Sequence, residues 1–380
     1  MRLGLATAAL ALAARAGLGA VPSPAPAATP TPSPAPTTAP SPHANGGLPV
    51  GRIEALISAA MLAHGIPGLT VSVATERELR WSNGYGMADL ENFVPARELT
   101  VYRLASVTKP ITATAVLQLA EQGKLDLDAP VQKYVPDFPE KAWPVTSRQL
   151  LAHQGGVRNW TEEEFRSTRR YASLSDALTV FKDDPLLQEP GTKVVYSSYG
   201  YNLLGSVVEG ASGQRYLDYL TEHVFEPAGM VWARADDVFA IIPNRARGYQ
   251  RTADGAIMNS SLSDTSNRVP GGGLVATADD VARFAVALVS GVLVKPDTLK
   301  LMFTRQKLRH GTSTGFGLGF VLGTHRRHRE VYHLGGQPRV STLLYMRPDE
   351  GLAVVLLTNL EGVGNPLLDL ARQIADLAAP

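Results

Sequence analysis

The sequence of 380 residues contains no cysteine. Disulfide bonds, a thiolate nucleophile and cysteine-ligated metals are therefore excluded, and so is the lipidated cysteine of a bacterial lipoprotein. No apolar run reaches the roughly 20 residues that a transmembrane helix requires. We therefore predict that the mature chain has no membrane span.

Excess charge of either sign is also missing, since the formal net charge is +1. A nucleic-acid partner is not expected, because such proteins carry a concentrated basic face. The one dense basic cluster, residues 325–329, lies between two strand-like runs and is predicted to be a hairpin tip. Its two histidines, His325 and His328, have arginines between them and no third ligand within reach along the chain. We predict no metal site and no cofactor.

The first 49 residues differ in composition from the rest of the chain. Arg2, an apolar run at 3–14 and small residues at 17–20 are typical of a secretory signal, predicted at residues 1–20. An ordinary N-terminal helix is the alternative. Residues 21–49 alternate Pro, Ala, Ser and Thr, which favours an extended linker. The pattern predicts a secreted or periplasmic protein whose folded domain spans residues 50–380.

Strand-like patterns lie at both ends of the folded part, and helical patterns lie between them. Because early and late strands flank the helical stretch, we predict an α+β fold, an α/β sandwich. Its central antiparallel sheet is built from both chain ends, helices cover its faces, and a mostly helical lobe spans about 124–290. Strands are predicted at 69–74, 78–81, 316–322, 331–334, 340–346 and 352–358, and helices at 51–63, 111–120, 199–211, 278–290 and 367–377.

A hydroxyl and an amine stand three residues apart where a helix begins. Pro110 is tolerated only in the first turn of a helix, so the helix through 111–120 must begin near Ser106 or Val107. Residues at i and i+3 are neighbours on a helix, so Lys109 can reach the Ser106 hydroxyl. Burial lowers the pKa of a lysine, and such a lysine can take the proton of a serine nucleophile.

Two further motifs follow this pair in the chain. The order is Ser106-Val107-Thr108-Lys109, then Tyr196-Ser197-Ser198, then His333-Leu334-Gly335-Gly336 on a predicted strand. It resembles the Ser-x-x-Lys, Tyr-x-Asn and Lys-Thr-Gly or His-x-Gly signatures of the penicillin-recognising serine hydrolases. That family comprises class C β-lactamases, D-alanyl-D-alanine carboxypeptidases and related esterases. The likeness covers most of residues 50–375 and is greatest to the LACTB-type serine β-lactamase-like proteins, which implies the β-lactamase/transpeptidase-like fold.

The resemblance implies a role for each matching residue. Ser106 would attack a carbonyl carbon and carry the acyl group, while Lys109 and Tyr196 would take and return the proton. Tyr196 would act as a phenolate or a proton relay, with its pKa lowered by the nearby ammonium. The N–H groups of Ser106 and Gly336 would form an oxyanion hole. His333 would hydrogen-bond a substrate carboxylate or polarise the tyrosine.

Three more residues, Gln154, Ser198 and Gly335, would contact the substrate. Two positions depart from the family pattern. Ser198 replaces the asparagine of Tyr-x-Asn, and His333 replaces the lysine that many relatives have in the third motif. Each change weakens the case for an efficient β-lactamase. Taken alone, Tyr196 is also typical of a partly buried aromatic residue, and His333 of a hydrogen-bonded strand residue.

The expected activity is hydrolysis of an ester, peptide or β-lactam carbonyl through an acyl-enzyme, without metal or cofactor. The substrate would be a small molecule or a peptide. The alternative is a catalytically weak or inactive cell-wall binding or assembly protein that retains the fold. The sequence leaves the oligomeric state open.

Overall fold

The computed structural model describes residues 47–379. The predicted signal at residues 1–20 and most of the predicted linker at 21–49 lie outside the described residues. Among the helices within 47–379, none combines the length and the apolar character that crossing a membrane requires.

Helices occupy most of the middle of the chain, and strands gather near its two ends. The α-helices are α1 Val50–His64, α2 Thr108–Glu121, α3 Ser147–Leu151, α4 Glu162–Arg166, α5 Leu174–Leu178, α6 Ser198–Ser212, α7 Tyr216–Leu220, α8 Glu226–Ala228, α9 Val269–Gly272, α10 Ala278–Val289, α11 Pro296–Met302 and α12 Gly364–Ala378. The strands are β1 Gly68–Thr75, β2 Glu78–Asp89, β3 Val94–Pro95, β4 Tyr102–Arg103, β5 Arg234–Ala235, β6 Tyr249–Arg251, β7 Ile257–Asn259, β8 Leu274–Ala276, β9 Val321–His325, β10 His328–Gln337, β11 Val340–Arg347 and β12 Leu352–Thr358. Short 3-10 turns lie at Ala105–Val107, Val131–Lys133, Ser266–Arg268 and Pro348–Glu350, and a π-helical turn at Thr221–Phe225.

An antiparallel sheet of seven strands forms the centre of the fold, in the order β3-β2-β1-β12-β11-β10-β9. Strand β1 pairs with β12, with Leu69 opposite Thr358 and Ala74 opposite Ala353. The first and last long strands of the described chain therefore meet in the middle of the sheet. This confirms the predicted α+β architecture, in which both chain ends build one sheet.

Both faces of the sheet are covered, so β12 is buried along its whole length. Successive side chains of a strand point to opposite faces. Val354 and Leu356 accordingly pack in the core that contains residues of α1 and α12. Val355 and Leu357 pack in the core that contains residues of α2 and α10. An uninterrupted apolar strand is what such double coverage requires.

The basic cluster at residues 325–329 lies at the turn between β9 and β10, as predicted. Arg326 and Arg327 have positive φ angles of 45° and 75°, which suit the tight turn of a hairpin. Arg326 lies 2.7 Å from an oxygen of Asp376, and His328 lies 2.5 Å from an oxygen of Glu350. The cluster is therefore partly neutralised by neighbouring acids.

The predicted strand at residues 316–322 is wrong for most of its length, because β9 begins only at Val321. The Gly317 N–H donates to the Phe320 carbonyl at 2.9 Å, and Gly319 has a φ of 90°, so the chain turns here. Leu318 and Phe320 are nevertheless buried. Apolar residues and glycines alternate here as they would in a strand, but Leu318 and Phe320 enter the core from a turn.

A short sheet in the order β4-β8-β5 brings distant segments of the chain together. Tyr102 pairs with Ala276, and the Leu104 N–H donates to the Leu274 carbonyl at 2.8 Å. These strands have two or three residues each, and the sequence pattern did not predict them. They join the segment before Ser106 to the segment that follows α9, so the region predicted as a mostly helical lobe also contains strands.

Candidate active site

Ser106 lies in a strained turn immediately before α2. The 3-10 turn Ala105–Val107 leads directly into α2, with Pro110 in its first turn as predicted. Ala105 has a φ of 47°, a left-handed conformation that is costly for a residue other than glycine. The Thr342 hydroxyl donates to the Leu104 carbonyl at 2.7 Å. Strand β11 therefore helps to hold this turn in place.

Strand β10 approaches the Ser106 turn so closely that only glycine fits at position 335. A Cβ atom there would lie 2.1 Å from the Thr342 hydroxyl oxygen and 2.6 Å from the Leu104 carbonyl oxygen. The described structure therefore gives Gly335 a packing role, and its predicted substrate contact stays a prediction. Gly336, the next residue, is exposed and has open space around it. Its predicted place in an oxyanion hole also stays a prediction.

The Lys109 side chain is fully buried and surrounded by polar neighbours. Its Nζ lies 2.9 Å from the Ser106 Oγ, 3.1 Å from the Ser198 Oγ and 2.6 Å from the Gly271 carbonyl oxygen. A neutral amine has two N–H groups and one lone pair. It can donate to Ser198 and Gly271 and accept the hydroxyl proton of Ser106.

The electrostatic environment favours that neutral amine. Burial lowers the pKa of Lys109 well below its ordinary value, and the positive charge of Arg268 lowers it further. Among the described residues, no carboxylate lies within 4 Å of Nζ to stabilise an ammonium. The arrangement can therefore take a proton from Ser106.

Tyr196 and Ser198 are placed by the start of α6. Ser197 is the N-cap residue, and its hydroxyl accepts the Gly200 N–H at 2.9 Å. Tyr196 then lies with its ring centroid 4.8 Å from the Lys109 Nζ, and 36% of its surface is exposed. Burial of the phenol end raises its pKa, and a hydrogen bond with the Ser106 hydroxyl opposes this only in part.

This direction contradicts the expected lowering of the Tyr196 pKa. The expectation relied on an ammonium at Lys109, whereas burial lowers the pKa of this amine well below its ordinary value and so disfavours the ammonium. Tyr196 is therefore suited to relay a proton through its hydroxyl and not to act as a resting phenolate.

His153 is a further residue of the site, and the sequence reasoning missed it. It is buried at the end of α3, and its ring centroid lies 4.2 Å from that of Tyr196. Its Nδ1 accepts the Ser197 N–H at 3.3 Å, and its carbonyl accepts the Val195 N–H at 2.8 Å. His153 thus supports the backbone on both sides of Tyr196.

Gln154, which was predicted instead of His153, makes backbone hydrogen bonds to Gln149 and Gly191. Its Nε2 is buried without a hydrogen-bond partner among the described residues. No hydrogen bond joins the described Gln154 to Ser106 or Lys109, and its contact with a substrate stays a prediction. Within the stretch Leu150 to Gly156, only the long-range contact with Tyr196 distinguishes His153, and a single sequence does not show it.

His333 is buried on β10, on the same side of the strand as Gly335. Its Nδ1 lies 2.7 Å from the Leu334 carbonyl oxygen, so Nδ1 carries the hydrogen and Nε2 a lone pair. Burial lowers the pKa of His333 to about 3, so the imidazole is neutral at pH 7. In this form Nε2 accepts a hydrogen bond and cannot donate one to a carboxylate. The predicted contact with a substrate carboxylate is therefore disfavoured. The predicted contact with Tyr196 stays a prediction, and the centroids of the His333 and Tyr196 rings lie 6.3 Å apart.

Within residues 47–379, no three acidic or histidine side chains lie close enough together to hold a metal ion. A cavity of about 620 Å³ lies against α7, and Tyr216 and Val269 line it, but none of Ser106, Lys109 and His333 does. We place the candidate site at the Ser106–Lys109 pair because the candidate nucleophile and the candidate base lie within hydrogen-bonding distance there.

The antiparallel sheet with its helical lobe, and the serine and lysine at the start of a central helix, define a β-lactamase-type serine hydrolase fold. The family model described as Beta-lactamase matches residues 53–379. The chain belongs to this family. This confirms the resemblance seen in the three motifs.

Relatives and solved structures agree with this assignment. The chain is 28% identical to the human serine beta-lactamase-like protein LACTB, mitochondrial, over 79% of this chain and 74% of that protein. It is 28% identical to penicillin-binding protein 4* of Bacillus subtilis (strain 168), over 77% and 68%. The D-amino acid amidase from Ochrobactrum anthropi SV3, complexed with L-phenylalanine, superposes with a TM-score of 0.75 at 23% identity, over 87% of this chain and 98% of that chain. The last similarity shows the fold alone.

Proposed function

We propose that the protein is a serine hydrolase that forms a covalent acyl-enzyme on Ser106. The observation that carries the proposal is the buried Lys109 amine, which lies 2.9 Å from the Ser106 Oγ. A serine hydroxyl is a weak nucleophile until a neighbouring base removes its proton. A lysine held as a free amine supplies that base.

Acylation and deacylation use the same groups. Lys109 takes the proton of Ser106 while the Oγ bonds to the substrate carbonyl carbon, and the N–H groups of Ser106 and Gly336 hold the developing oxyanion. The bond to the leaving group then breaks, and the proton passes from Lys109 through the Tyr196 hydroxyl to the departing alcohol or amine. Water repeats the cycle on the acyl-enzyme, releasing the acid and restoring Ser106.

We further propose that the preferred acyl donors are esters or amides without a carboxylate beside the scissile bond. A neutral His333 offers no fixed cation to such a carboxylate. β-Lactams, which carry one, are expected to be poor substrates.

Labelling with a fluorophosphonate probe tests the nucleophile. We expect one adduct on Ser106, located by peptide mass spectrometry, and no adduct in the Ser106→Ala variant. Persistent labelling of that variant would place the nucleophile elsewhere. A panel of p-nitrophenyl esters, D-alanyl-D-alanine peptides and nitrocefin then separates esterase, peptidase and β-lactamase activity.

A cell-wall binding or assembly protein without turnover is the second candidate function. The observation that favours it is Ser198, whose hydroxyl stands where relatives have an amide. Peptidoglycan binding combined with no probe adduct, at any pH, would replace the hydrolase proposal by this one.

We also propose that the chain is exported to the periplasm or the medium. The pattern of residues 1–20 supports export, whereas the LACTB relative is mitochondrial by name. Fractionation of cells that express the full chain, with sequencing of the mature N-terminus, tests the location.

A further inference from the structure

Arg268 is a buried arginine with only neutral hydrogen-bond acceptors. It is 1% exposed and stands immediately before α9. Its Nη1 donates to the Asn267 Oδ1 at 2.8 Å and its Nη2 to the Phe165 carbonyl at 3.0 Å. The guanidinium also lies over the Phe165 ring, 4.9 Å from its centroid. Among the described residues, no carboxylate comes within 4 Å of it.

The nearest acids are engaged elsewhere. Asp236 lies 2.7 Å from the Arg103 Nε and 3.9 Å from the Arg245 Nη1, so two other arginines share its charge. The Asp264 Oδ1 accepts the backbone N–H two residues further along the chain, at 2.8 Å. Burial lowers the pKa of Arg268 to about 10, which leaves it charged at neutral pH. A buried charge without a counterion is rare and costly, so its presence calls for a reason.

Helix α9, which follows Arg268, contacts the candidate base. Its residue Gly271 accepts a hydrogen bond from Lys109. The other groups around the Lys109 amine carry no charge at neutral pH, since burial raises the pKa of the tyrosines and lowers the pKa of the histidines. These groups come from every element packed against the amine and are Ser106, His153, Tyr196, Ser198, Tyr201 and His333. Among the described residues, Arg268 supplies the positive charge that lowers the pKa of Lys109 further.

We propose that Arg268 is a positioning residue of the acyl-transfer site, whose uncompensated positive charge behind α9 keeps Lys109 a free amine. The inference rests on the proposed function and deepens it. Bringing a proton to Lys109 would place two cations in one buried region, and the mutual repulsion disfavours this. Lys109 thereby stays unprotonated and able to accept a proton, and no neighbouring carboxylate among the described residues stabilises its protonated form.

A purely structural role would tie Asn267 and Phe165 together through hydrogen bonds. The two roles differ in what happens when the charge changes but the contacts of the Arg268 guanidinium remain. Asn267→Asp places a carboxylate on the guanidinium, 2.8 Å from the Nη1, and neutralises the charge while the arginine stays. Arg268→Met removes the charge, and Arg268→Lys preserves it.

Two measurements follow the protonation of Lys109 in the full chain. The first is the pH dependence of the second-order rate constant for acylation of Ser106 by a p-nitrophenyl ester. The second is an NMR titration of the chain labelled with ¹³C and ¹⁵N at the lysine ε position, with the Lys109 signal identified by its absence in Lys109→Ala. The titration is independent of turnover.

We expect Asn267→Asp and Arg268→Met to raise the pH at which Lys109 titrates by about one unit, with the acidic limb of the rate profile moving equally. Arg268→Lys should leave both close to the unchanged protein. Asn267→Ala, which removes the same acceptor without adding a charge, should not shift the titration.

Arg347→Met is the matched control, because Arg347 is equally buried but pairs with Asp376 and does not contact the site. It should lower the melting temperature without moving either pH curve. An unchanged Lys109 titration in a folded Asn267→Asp or Arg268→Met chain would overturn the inference, and so would an equal shift in Arg347→Met. If the unchanged chain forms no acyl-enzyme, the proposed function fails, and the NMR titration still decides the role of Arg268.

Discussion

At the residue scale, the main feature is a buried amine whose pKa lies well below its ordinary value. At any pH between its lowered pKa and the ordinary value near 10.4, Lys109 is a neutral amine in the folded protein and an ammonium in the unfolded chain. The unfolded state then binds more protons than the native state. The free energy of unfolding should therefore rise as pH rises across this window. As pH falls through the window, the same stability is lost.

Lys109→Met removes this dependence and gives the first prediction. The variant should be more stable than the unchanged chain, by a margin that shrinks by about 1.4 kcal/mol for each unit that pH rises within the window. Urea unfolding at several pH values between about 7 and 9 measures the margin.

The control for this experiment is the exposed Lys193, whose replacement by Met should give the same difference in stability at every pH. A margin for Lys109→Met that does not change with pH would show that Lys109 is protonated in the folded protein.

His333 gives the second prediction, which concerns substrate choice. His333→Lys adds a flexible cation where the neutral imidazole has only a hydrogen-bond acceptor. We expect the ratio of kcat/KM for nitrocefin, an anion, to kcat/KM for a neutral p-nitrophenyl ester to rise about tenfold, as an added ion pair of roughly 1.4 kcal/mol would give. His333→Met should leave the ratio unchanged, and an equal ratio in both variants would contradict the account.

The helical spacing predicts the Ser106–Lys109 pair, and the resemblance to the family adds Tyr196, Ser198 and His333, whereas neither points to His153. Lys109 reaches Ser106 because both lie in the first turns of one helical segment, and the i, i+3 spacing shows this. His153 reaches the site only because a distant segment folds onto it. The direction of the Tyr196 pKa was missed for the same reason, since it depends on burial by several elements.

At the scale of elements, the closest approach joins β10 to the turn before α2. The third prediction is that Gly335→Ala displaces the Ser106 turn, because its Cβ would meet the Thr342 Oγ1 at 2.1 Å and the Leu104 oxygen at 2.6 Å. A displacement of about 1 Å can cost roughly 100-fold in rate, so we expect at least that loss in kcat/KM.

The control is Gly315→Ala, at an exposed glycine with open space around it, which should retain activity. A folded Gly335→Ala chain with unchanged activity would show that β10 and the turn can separate without consequence.

The elements of eight residues or more were predicted at least in part from their periodicity, whereas α11, with seven residues, and most shorter elements were not. The helix predicted at 278–290 is present as α10, and its N-cap residue Thr277 forms a capping box with Asp280. Strands β4, β5 and β8 have two or three residues, too few to show alternation. These strands pair with segments far along the chain, so a local sequence pattern does not predict them.

At the scale of the whole molecule, α12 closes one face of the sheet. The fourth prediction is that Ile374→Ala lowers the free energy of unfolding by about 2 to 5 kcal/mol, because the side chain is fully buried against the sheet and α1. Denaturant unfolding measures the change. Gln373→Ala, at the exposed neighbouring position, should change stability by less than about 0.5 kcal/mol, and a similar loss in both variants would contradict this view of α12.

The pairing of β1 with β12 also sets the order in which the molecule can be completed. A ribosome delivers β1 early, but its central partner comes only near the end of the described chain. Until then one edge of the β1–β2 hairpin has open hydrogen-bonding groups, the kind of edge that recruits other chains. Synthesis that stops before β12 therefore leaves the centre of the sheet unfinished.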